Sequence, residues 1–427
     1  MKKKEKSSII CSVSIALLLS LINISLVYVV TAQNTSSAAQ YAYITNEGSF
    51  RFPDHTVTVV DTATNIIIAT VPVGSGPIGV AVTPDGTKVY VTNWGSNTVS
   101  VIDTATNTVT DTVPVGHFPQ GIAISPDGKK VYLANQKDNT TSVINIDNNH
   151  VTATVPVGNW PAGVAVAPDG KKVYVPNQKD NTTSVIDTDT NYVIATIPVG
   201  NFPWGVAINP TGTKVYVTNR KDNTVSVINT ATNQVTATVP VGNFPAGVAV
   251  NPDATKVYVT NRKDNTVSVI NTATNQATAT VSVGNFPAGV AVGPDGKKVY
   301  VVNSGDGTFS VLDTPTNEII ATMTAGKHPY AFGQFIGSPP NIVTKGPSEP
   351  TLTSIPTSSG NNNTTLLSII GVILVIAGLL FTALTTIQKN IDIEIGLSEK
   401  NLRYVGNAGV LLILLGVYML LRCNNLI

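Results

Sequence analysis

The chain has 427 residues, of which 12% are charged, and its 26 basic and 25 acidic residues leave a net charge of +1. This balance excludes the strong single-signed field on which nucleic-acid binding depends. Its two cysteines, Cys11 and Cys423, lie near the chain ends, so no disulfide framework is predicted for the region between them.

The N-terminus has the pattern of a secretory signal. A basic start is followed by an uncharged, mostly apolar run from Ser7 to Val30, and Val30 and Ala32 are the small residues of a cleavage site. We predict a signal peptide over 1–32 and a short linker over 33–40. The apolar run exceeds the roughly 7–15 residues usual in a signal, so an uncleaved signal anchor is the alternative.

A tyrosine-centred sequence repeats through residues 41–337. The stretch Lys88-Val-Tyr-Val-Thr-Asn93 returns with its tyrosine every 42 residues, and an earlier copy precedes it by 47 residues. The seven tyrosines are Tyr43, Tyr90, Tyr132, Tyr174, Tyr216, Tyr258 and Tyr300. Each unit holds four runs rich in Val, Ile, Thr and Tyr separated by turn sequences, which predicts four strands joined by hairpins. The longer first interval predicts a loop insertion near 47–55.

Prolines predict the order of these strands. Five units carry a proline in the fourth run, namely Pro72, Pro114, Pro156, Pro198 and Pro240. Proline cannot donate the hydrogen bond that a central strand requires, so the fourth strand is expected at the outer edge. The small residues of the first run then suit a crowded axis. An open β-solenoid is the alternative, and it would leave both ends in need of caps.

The ends of the repeat region predict closure. The region begins with a second strand at 41–46 and finishes with a lone first strand at 330–336. We therefore predict an all-β fold, a seven-bladed β-propeller over 41–337. One C-terminal strand would complete the first blade with three N-terminal strands.

These units resemble the YVTN β-propeller repeats of archaeal surface-layer proteins. The resemblance rests on Tyr-Val-Thr-Asn, the Pro-Asp-Gly turns, Val-Ile-Asp-Thr-Ala-Thr-Asn and the closing Gly-Gln-Phe-Ile-Gly337, and it covers about 300 residues. It implies a seven-bladed propeller outside the cell. It implies little about activity, because binders and enzymes share this fold.

The sequence after the propeller predicts an anchor. Residues 338–365 are rich in Pro, Ser, Thr and Asn and are predicted to form a stalk. Two apolar segments, 366–387 and 405–421, are predicted to cross a membrane, with a cytoplasmic loop at 388–404 between them. The propeller is then expected outside the cell membrane.

Large side chains gather in the loops that follow the second and fourth strands, which share one face of a propeller; we call it the top face. Aromatic platforms beside charged groups suit sugars or extended polymers. The alternative for the aromatic-proline pairs is packing that fixes the crossover between blades. Candidate ligand-binding residues are Trp94, Phe118, Trp160, Phe202, Trp204, Phe244, Phe286, Arg220, Arg262 and, in the single insertion, Phe50, Arg51 and Phe52.

Two further patterns bear on function. Glycosylation sequons occur at Asn34, Asn139, Asn181, Asn362 and Asn363. The four histidines occupy unrelated repeat positions, and no nucleophile motif, metal motif or phosphate-binding glycine loop is found. We therefore predict no metal, no cofactor and no enzymatic activity.

The expected function is a membrane-anchored binding or structural module at the cell surface, similar to surface-layer components. Its expected partners are cell-surface proteins or glycans and the membrane, with no nucleic acid, and its oligomeric state is unknown. The alternative is a propeller enzyme of the lactonase or quinoprotein type with its site in the central channel. Such an enzyme needs ionisable side chains near the inner strands, which here read mainly Gly-Val-Ala-Val.

Overall fold

The computed structural model describes residues 40–49 and 52–337. These residues form seven four-stranded antiparallel sheets. Phe50, Arg51, the predicted signal, the stalk and both apolar segments lie outside the described residues. Nothing in the described part of the chain forms a helix with the length and apolarity needed to span a membrane.

Each blade takes four strands, ordered from the axis to the rim. The first blade runs β1 (Tyr41–Ser49), β2 (Phe52–Asp61), β3 (Ile66–Pro72), and its innermost strand is the last of the chain, β28 (Ile336–Gly337). Blades two to seven follow in chain order: β4 (Pro77–Val82), β5 (Lys88–Asn93), β6 (Thr98–Asp103), β7 (Thr108–Pro114); β8 (Pro119–Ile124), β9 (Lys130–Asn135), β10 (Thr140–Asn145), β11 (His150–Pro156); β12 (Ala165–Val166), β13 (Lys172–Asn177), β14 (Thr182–Asp187), β15 (Tyr192–Pro198); β16 (Pro203–Ile208), β17 (Lys214–Asn219), β18 (Thr224–Asn229), β19 (Gln234–Pro240); β20 (Pro245–Val250), β21 (Lys256–Asn261), β22 (Thr266–Asn271), β23 (Gln276–Ser282); β24 (Pro287–Val292), β25 (Lys298–Asn303), β26 (Thr308–Asp313), β27 (Ile319–Thr324).

The predicted closure is confirmed. The first blade is completed by β28, which pairs with β1 through Tyr41 opposite Gly337 and Ala42 opposite Ile336. The prolines of the fourth run end the outermost strands, as their missing N–H requires. The fold prediction of seven blades closed by one strand and three is therefore correct.

The closing segment is less regular than predicted. A strand was expected over 330–336, but only its last residue lies in β28, and upstream the chain makes isolated bridges at Pro329 and Phe332. Positive φ angles at Ala331 (48°) and Gly333 (135°) bend this backbone. The bend breaks the strand and leaves Tyr330 and Phe332 in an aromatic cluster with residues of other blades.

The described residues of the predicted insertion, 47–49 and 52–55, lie in strands rather than in a loop. They lengthen the β1–β2 hairpin, which continues through Gly48 opposite Pro53 after an irregularity between Asn46 and Gly48. This longer hairpin lies against the last crossover of the chain, because Glu47 N–H donates to the His328 carbonyl at 3.2 Å.

Three residues of the repeat join neighbouring blades. The signature tyrosines are buried, with exposures of 0–2%, and each removes on the order of 150–250 Å² from water. The lysine two positions earlier reaches a carbonyl of the next blade, as Lys214 Nζ does with the Thr272 carbonyl at 2.9 Å. The signature threonine also bonds to a carbonyl of the next blade, closer to the axis: Thr218 Oγ1 donates to the Ala246 carbonyl at 2.8 Å.

Candidate ligand site at the top of the channel

The top face is built by pairs of loops that touch across each crossover. The residue after each signature asparagine donates its N–H to the carbonyl of the residue that precedes the crossover proline, as Arg220 does to Phe202 at 3.1 Å. Six of these contacts repeat around the ring, and the seventh uses Gly76 as acceptor for Trp94. Residues spaced 42 apart are thereby brought to equivalent positions around one axis.

Two such sets of seven residues surround the axis at the top, and together we call them the mouth. The loop set takes the residue after each signature asparagine, which in the first blade lies within β1: Glu47, Trp94, Gln136, Gln178, Arg220, Arg262 and Ser304. The strand set stands between the proline and glycine of the inner strands, or at the matching position of the closing segment: Ile78, Gln120, Ala162, Trp204, Ala246, Ala288 and Tyr330. Six members of the strand set form one buried cluster, with Trp94 packed against it.

Two arginines converge in the mouth. Arg262 Nη1 and Arg220 Nη2 donate to the same Tyr330 hydroxyl oxygen, at 3.2 and 3.4 Å. Arg220 is 5% exposed, and its guanidinium carbon lies 3.2 Å from the Trp204 ring centroid and 4.9 Å from that of Phe244. Arg262 also donates to Ser304 Oγ at 3.3 Å.

The arginine charges lack an anionic partner at close range. In the described residues the one ion pair joins His117 to Asp138, outside the mouth. Burial lowers the pKa of Arg220 to about 10, with Arg262 acting in the same direction, so Arg220 stays cationic at neutral pH. A buried charge without a counterion is costly to a protein and is a mark of a site that receives an anion.

Several buried polar side-chain atoms of the mouth have no hydrogen-bond partner. They are both side-chain amide atoms of Gln178, the Trp204 indole nitrogen and Nε of Arg220. All three residues are more than nine-tenths buried. Because buried donors and acceptors are normally satisfied, these groups are arranged for a ligand or ordered water.

One carboxyl group belongs to the mouth. Desolvation raises the pKa of Glu47 to about 6, while the nearby charge of Arg262 opposes the rise. Glu47 is therefore a carboxylate that takes up a proton just below neutral pH. A carboxyl tuned to this range is suited to accept a proton from water.

Phe332 lies between the mouth and the rest of the channel. Its backbone bridges to Gly79 of the second blade, and its ring approaches Gly163 of the fourth, where an added Cβ would lie 3.3 Å from the ring tip. The ring also lies 5.8 Å from that of Trp204. Below it the channel is a cavity of about 650 Å³ whose walls are mainly aliphatic residues, glycine and proline.

The predicted aromatic residues divide into two groups. Trp204 belongs to the mouth, Trp94 stacks on Phe118 with centroids 4.6 Å apart, and Phe202 packs against the mouth cluster. Trp160 and Phe286 are 38% and 51% exposed, away from this cluster. The structure thus gathers Trp94, Trp204, Arg220, Arg262, Phe118, Phe202 and Phe244 near the axis and leaves the other two outside. Of the insertion candidates, Phe52 lies in β2 and the other two are not described.

The aromatic residues before the crossover prolines adopt a conformation that the sequence did not reveal. Phe118, Trp160, Phe202, Phe244 and Phe286 all have φ between 51° and 58°. This left-handed region is unfavourable for bulky residues. An asparagine 21 residues earlier offsets part of the cost, as Asn181 Oδ1 accepts from Phe202 N–H at 2.9 Å.

In two units the asparagine at this repeat position is also the asparagine of a predicted sequon. Asn139 accepts from Trp160 N–H at 2.9 Å, and Asn181 plays the same part at Phe202. Both lie in the top loops, and their use as glycosylation sites stays a prediction. Asn34, Asn362 and Asn363 lie outside the described residues.

Sequence reasoning did not select Tyr330, Phe332, Gln120 or Glu47 as site residues. Tyr330 and Phe332 were read as part of a regular strand, and the bend that turns them to the axis has no sequence motif. Alignment of the seven units would have found Glu47 at the variable position after the signature asparagine, and Gln120 at the variable position between the proline and glycine of the inner strands. Within the described residues, no group of three or more His, Cys, Asp or Glu is placed to hold a metal ion.

Fold and site together define the class: a seven-bladed β-propeller with an arginine-containing ligand site on its axis. The sequence profile described as "Lactonase, 7-bladed beta-propeller" matches residues 23–154 and 149–239, just over half of the chain, and that described as "YNCE-like beta-propeller" matches 246–337. The chain therefore belongs to the lactonase-type seven-bladed β-propeller family. The narrower surface-layer resemblance stays a prediction.

Solved structures agree with the fold. Kuenenia stuttgartiensis hydrazine synthase is 26% identical, with a TM-score of 0.57 over 61% of this chain and 90% of that chain. A functionally unknown protein from Desulfotomaculum acetoxidans DSM 771 is 17% identical, with a TM-score of 0.59 over 70% of this chain and 100% of that chain, and this likeness shows the fold alone. No curated protein matches the chain.

The family match contradicts the prediction that the chain is not an enzyme. That prediction relied on contiguous motifs and on the apolar inner strands. In a propeller each blade adds single residues to a shared axial site, so ionisable groups 42 residues apart meet without forming a motif. In this chain the ionisable groups lie on the top-face side of the apolar Gly-Val-Ala-Val stretch, in the loops next to the start of the inner strands.

Proposed function

We propose that the mouth binds a small ligand that carries a carboxylate. The observation that carries this proposal is the convergence of Arg220 and Arg262 on Tyr330 with no carboxylate at salt-bridge distance in the described residues. Guanidinium groups hold carboxylates through paired N–H bonds. A ligand anion would supply the counter-charge that the buried Arg220 lacks.

The surrounding groups favour a ligand with a polar body. The amide of Gln178 and the indole N–H of Trp204 are unpartnered and can bond neutral oxygen atoms. The mouth is closed below by Phe332, so a bound molecule enters and leaves from the top face. A ligand of modest size with one acidic end satisfies these groups.

A second candidate is hydrolysis of a lactone, favoured by the raised pKa of Glu47 and by the family match. Glu47 would take a proton from water as the water oxygen bonds to the lactone carbonyl carbon. The arginines would hold the resulting oxyanion. The ring C–O bond then breaks and its oxygen takes the proton from Glu47. The carboxylic acid formed loses its own proton to solvent, and the arginines bind the resulting carboxylate.

Binding is tested by calorimetric titration of the full chain with cyclohexanecarboxylate and with its neutral amide. Binding of the acid alone is expected, and Arg220→Met should abolish it while Lys221→Met, at an exposed neighbouring residue, should not. The proposal would be refuted if the acid and the amide bound equally well, or if the Arg220→Met variant still bound the acid.

Hydrolysis is tested separately with δ-valerolactone and D-glucono-δ-lactone in a pH-stat. Turnover should fall by at least a hundredfold in Glu47→Gln. In wild type it should fall as the pH drops, with a midpoint near pH 6 where Glu47 takes up a proton. Turnover that persists in this variant would exclude Glu47 as the base, and the absence of turnover in wild type would leave binding as the function.

We place this activity at the cell surface. The basic start and apolar run of the N-terminus and the two C-terminal apolar segments support an exported, anchored propeller with protein or glycan partners. Protease treatment of intact cells tests this location: the propeller should be cleaved from the surface while the loop at 388–404 stays protected.

A further inference from the structure

A second depression opens on the top face between the seventh and first blades. It has a volume of about 310 Å³ and is lined by Ser304, Asp306, Lys327, His328 and four glycines. Ser304 also accepts the hydrogen bond from Arg262. The depression is therefore continuous with the mouth through a shared residue, and we call it the side pocket.

The side pocket lies where the repeat is broken. Lys327 and His328 stand at the positions that hold asparagine and an aromatic residue in four other crossovers, and the loop Ser304-Gly-Asp-Gly307 replaces the Arg-Lys-Asp-Asn of the two preceding blades. The lengthened β1–β2 hairpin touches the same crossover, where Gly48 N–H donates to the Lys327 carbonyl at 3.3 Å. Three separate departures from the repeat thus meet at one place.

Two of the lining glycines lie in close contact with neighbouring atoms. A Cβ at Gly305 would lie 2.7 Å from the Phe286 ring, and one at Gly307 would lie 2.6 Å from the Gly326 carbonyl oxygen. Glycine avoids both close contacts at these lining positions. Phe286, which is 51% exposed, adjoins the pocket, since its ring lies against the lining residue Gly305.

The pocket's side chains suit hydroxyl groups rather than a second anion. Lys327 and His328 lie in the pocket with the acidic Asp306, whose oxygens already accept from Asn285 N–H at 2.8 Å and Thr308 Oγ1 at 2.7 Å. This carboxylate would repel a second negative charge. Mixed donors and acceptors next to an exposed ring are the surroundings in which a hydroxylated ring binds, with its C–H face on the aromatic.

We propose that the ligand is an acidic sugar, the terminal uronic acid of a surface glycan, with its carboxylate on Arg220 and Arg262 and its hydroxyl groups in the side pocket. This inference rests on the proposed binding at the mouth and adds the chemical class of the ligand. It also assigns the pocket between blades seven and one as a subsite.

The test compares ligands that differ only in hydroxyl groups. The full chain is titrated with D-glucuronate, D-galacturonate, D-mannuronate and cyclohexanecarboxylate, and with methyl β-D-glucopyranoside as the neutral sugar. At least one uronate should bind ten times or more as tightly as cyclohexanecarboxylate, and the neutral sugar should bind least.

A matched pair of variants locates the preference. Phe286→Gly removes the ring beside the pocket, and glycine is chosen because Gly76 already takes this left-handed conformation. In this variant the uronate should bind about as tightly as cyclohexanecarboxylate, whose own binding should be unchanged. Trp160→Gly, at the same repeat position in another blade, should leave both unchanged.

The outcomes separate the two proposals. If cyclohexanecarboxylate binds through Arg220 but no uronate is preferred, or Phe286→Gly weakens all the acids equally, the sugar inference is wrong and binding at the mouth stands. If none of the acids binds, both are wrong.

Discussion

Replacing Arg220 by methionine should remove anion binding without weakening the fold. Burial lowers the pKa of Arg220 from 12.5 to about 10, which corresponds to a cost of about 3 kcal/mol for holding the charge in the folded protein. Methionine fills a similar volume without that charge. Its main loss is the stacking of the guanidinium on Trp204, worth about 2 kcal/mol when desolvated. The hydrogen bond to Tyr330 is long at 3.4 Å, and Arg262 still binds that hydroxyl.

The expected free energy of unfolding of Arg220→Met is thus equal to wild type or about 1 kcal/mol higher, measured by urea denaturation at pH 7. Adding cyclohexanecarboxylate at a hundred times its dissociation constant should raise the wild-type value by about 2.7 kcal/mol and leave the variant unchanged. Lys221→Met, whose lysine lies over Phe202 at the protein surface, should behave as wild type in both measurements. A loss of more than 2 kcal/mol in Arg220→Met, with ligand stabilisation retained, would mean that the guanidinium is structural.

Four other variants test the ionisation and hydrogen bonding of the propeller, with stability measured by denaturation in each case. The pKa of Glu47 is raised from 4.5 to about 6 in the folded protein, so the folded state binds the carboxyl proton more tightly than the unfolded state does. The stability that this protonated carboxyl contributes is lost as pH rises through 6. Glu47→Gln should therefore gain on the order of 2 kcal/mol over wild type between pH 4 and pH 7, and a constant difference would contradict this. Tyr90→Phe should lose about 1 kcal/mol, since its hydroxyl donates to Asn149 at 2.7 Å, whereas Tyr174→Phe should be neutral or stabilising because its buried hydroxyl has no partner; equal losses would refute the distinction. Thr141→Val should gain about 1–2 kcal/mol by removing a buried, unpartnered hydroxyl, and a loss would show that this hydroxyl is satisfied in solution.

The architecture was predictable because it depends on features that every unit repeats. Equal spacing of the buried tyrosines fixes the number of blades, and the absence of an N–H in proline places the fourth strand at the rim. These constraints act within one unit, so the sequence of each unit indicates its own strand order. The incomplete units at both ends then require closure, and β28 beside β1 provides it.

The closing segment could not be predicted in detail because its backbone is set by its neighbours. Its aligned residue is Ala331, where six other units have glycine, and the sequence offers no reason for a φ of 48° there. In the structure Ala331 N–H donates to Thr45 Oγ1 at 2.8 Å and Phe332 N–H to the Ile78 carbonyl at 3.0 Å. The segment thus bonds to two blades at once, and this double attachment sets its path.

The mouth was only partly predictable, although its logic is contained in the repeat. The asparagine that ends each second strand is present in all seven units and bridges hydroxyl groups of the third strand, as Asn219 does with Ser226 at 2.9 Å. The aspartate three positions later is present in five units and binds a backbone N–H of the preceding crossover, as Asp222 does with Asn201 at 2.6 Å. The residue directly after the asparagine contributes only its backbone N–H to this framework, so the repeated contacts do not restrict which side chain it carries. That position holds Glu, Trp, Gln, Gln, Arg, Arg and Ser around the ring. In a propeller of near-identical blades, chemistry directed at one ligand has to come from the positions that the framework leaves unconstrained, and here those side chains surround the axis.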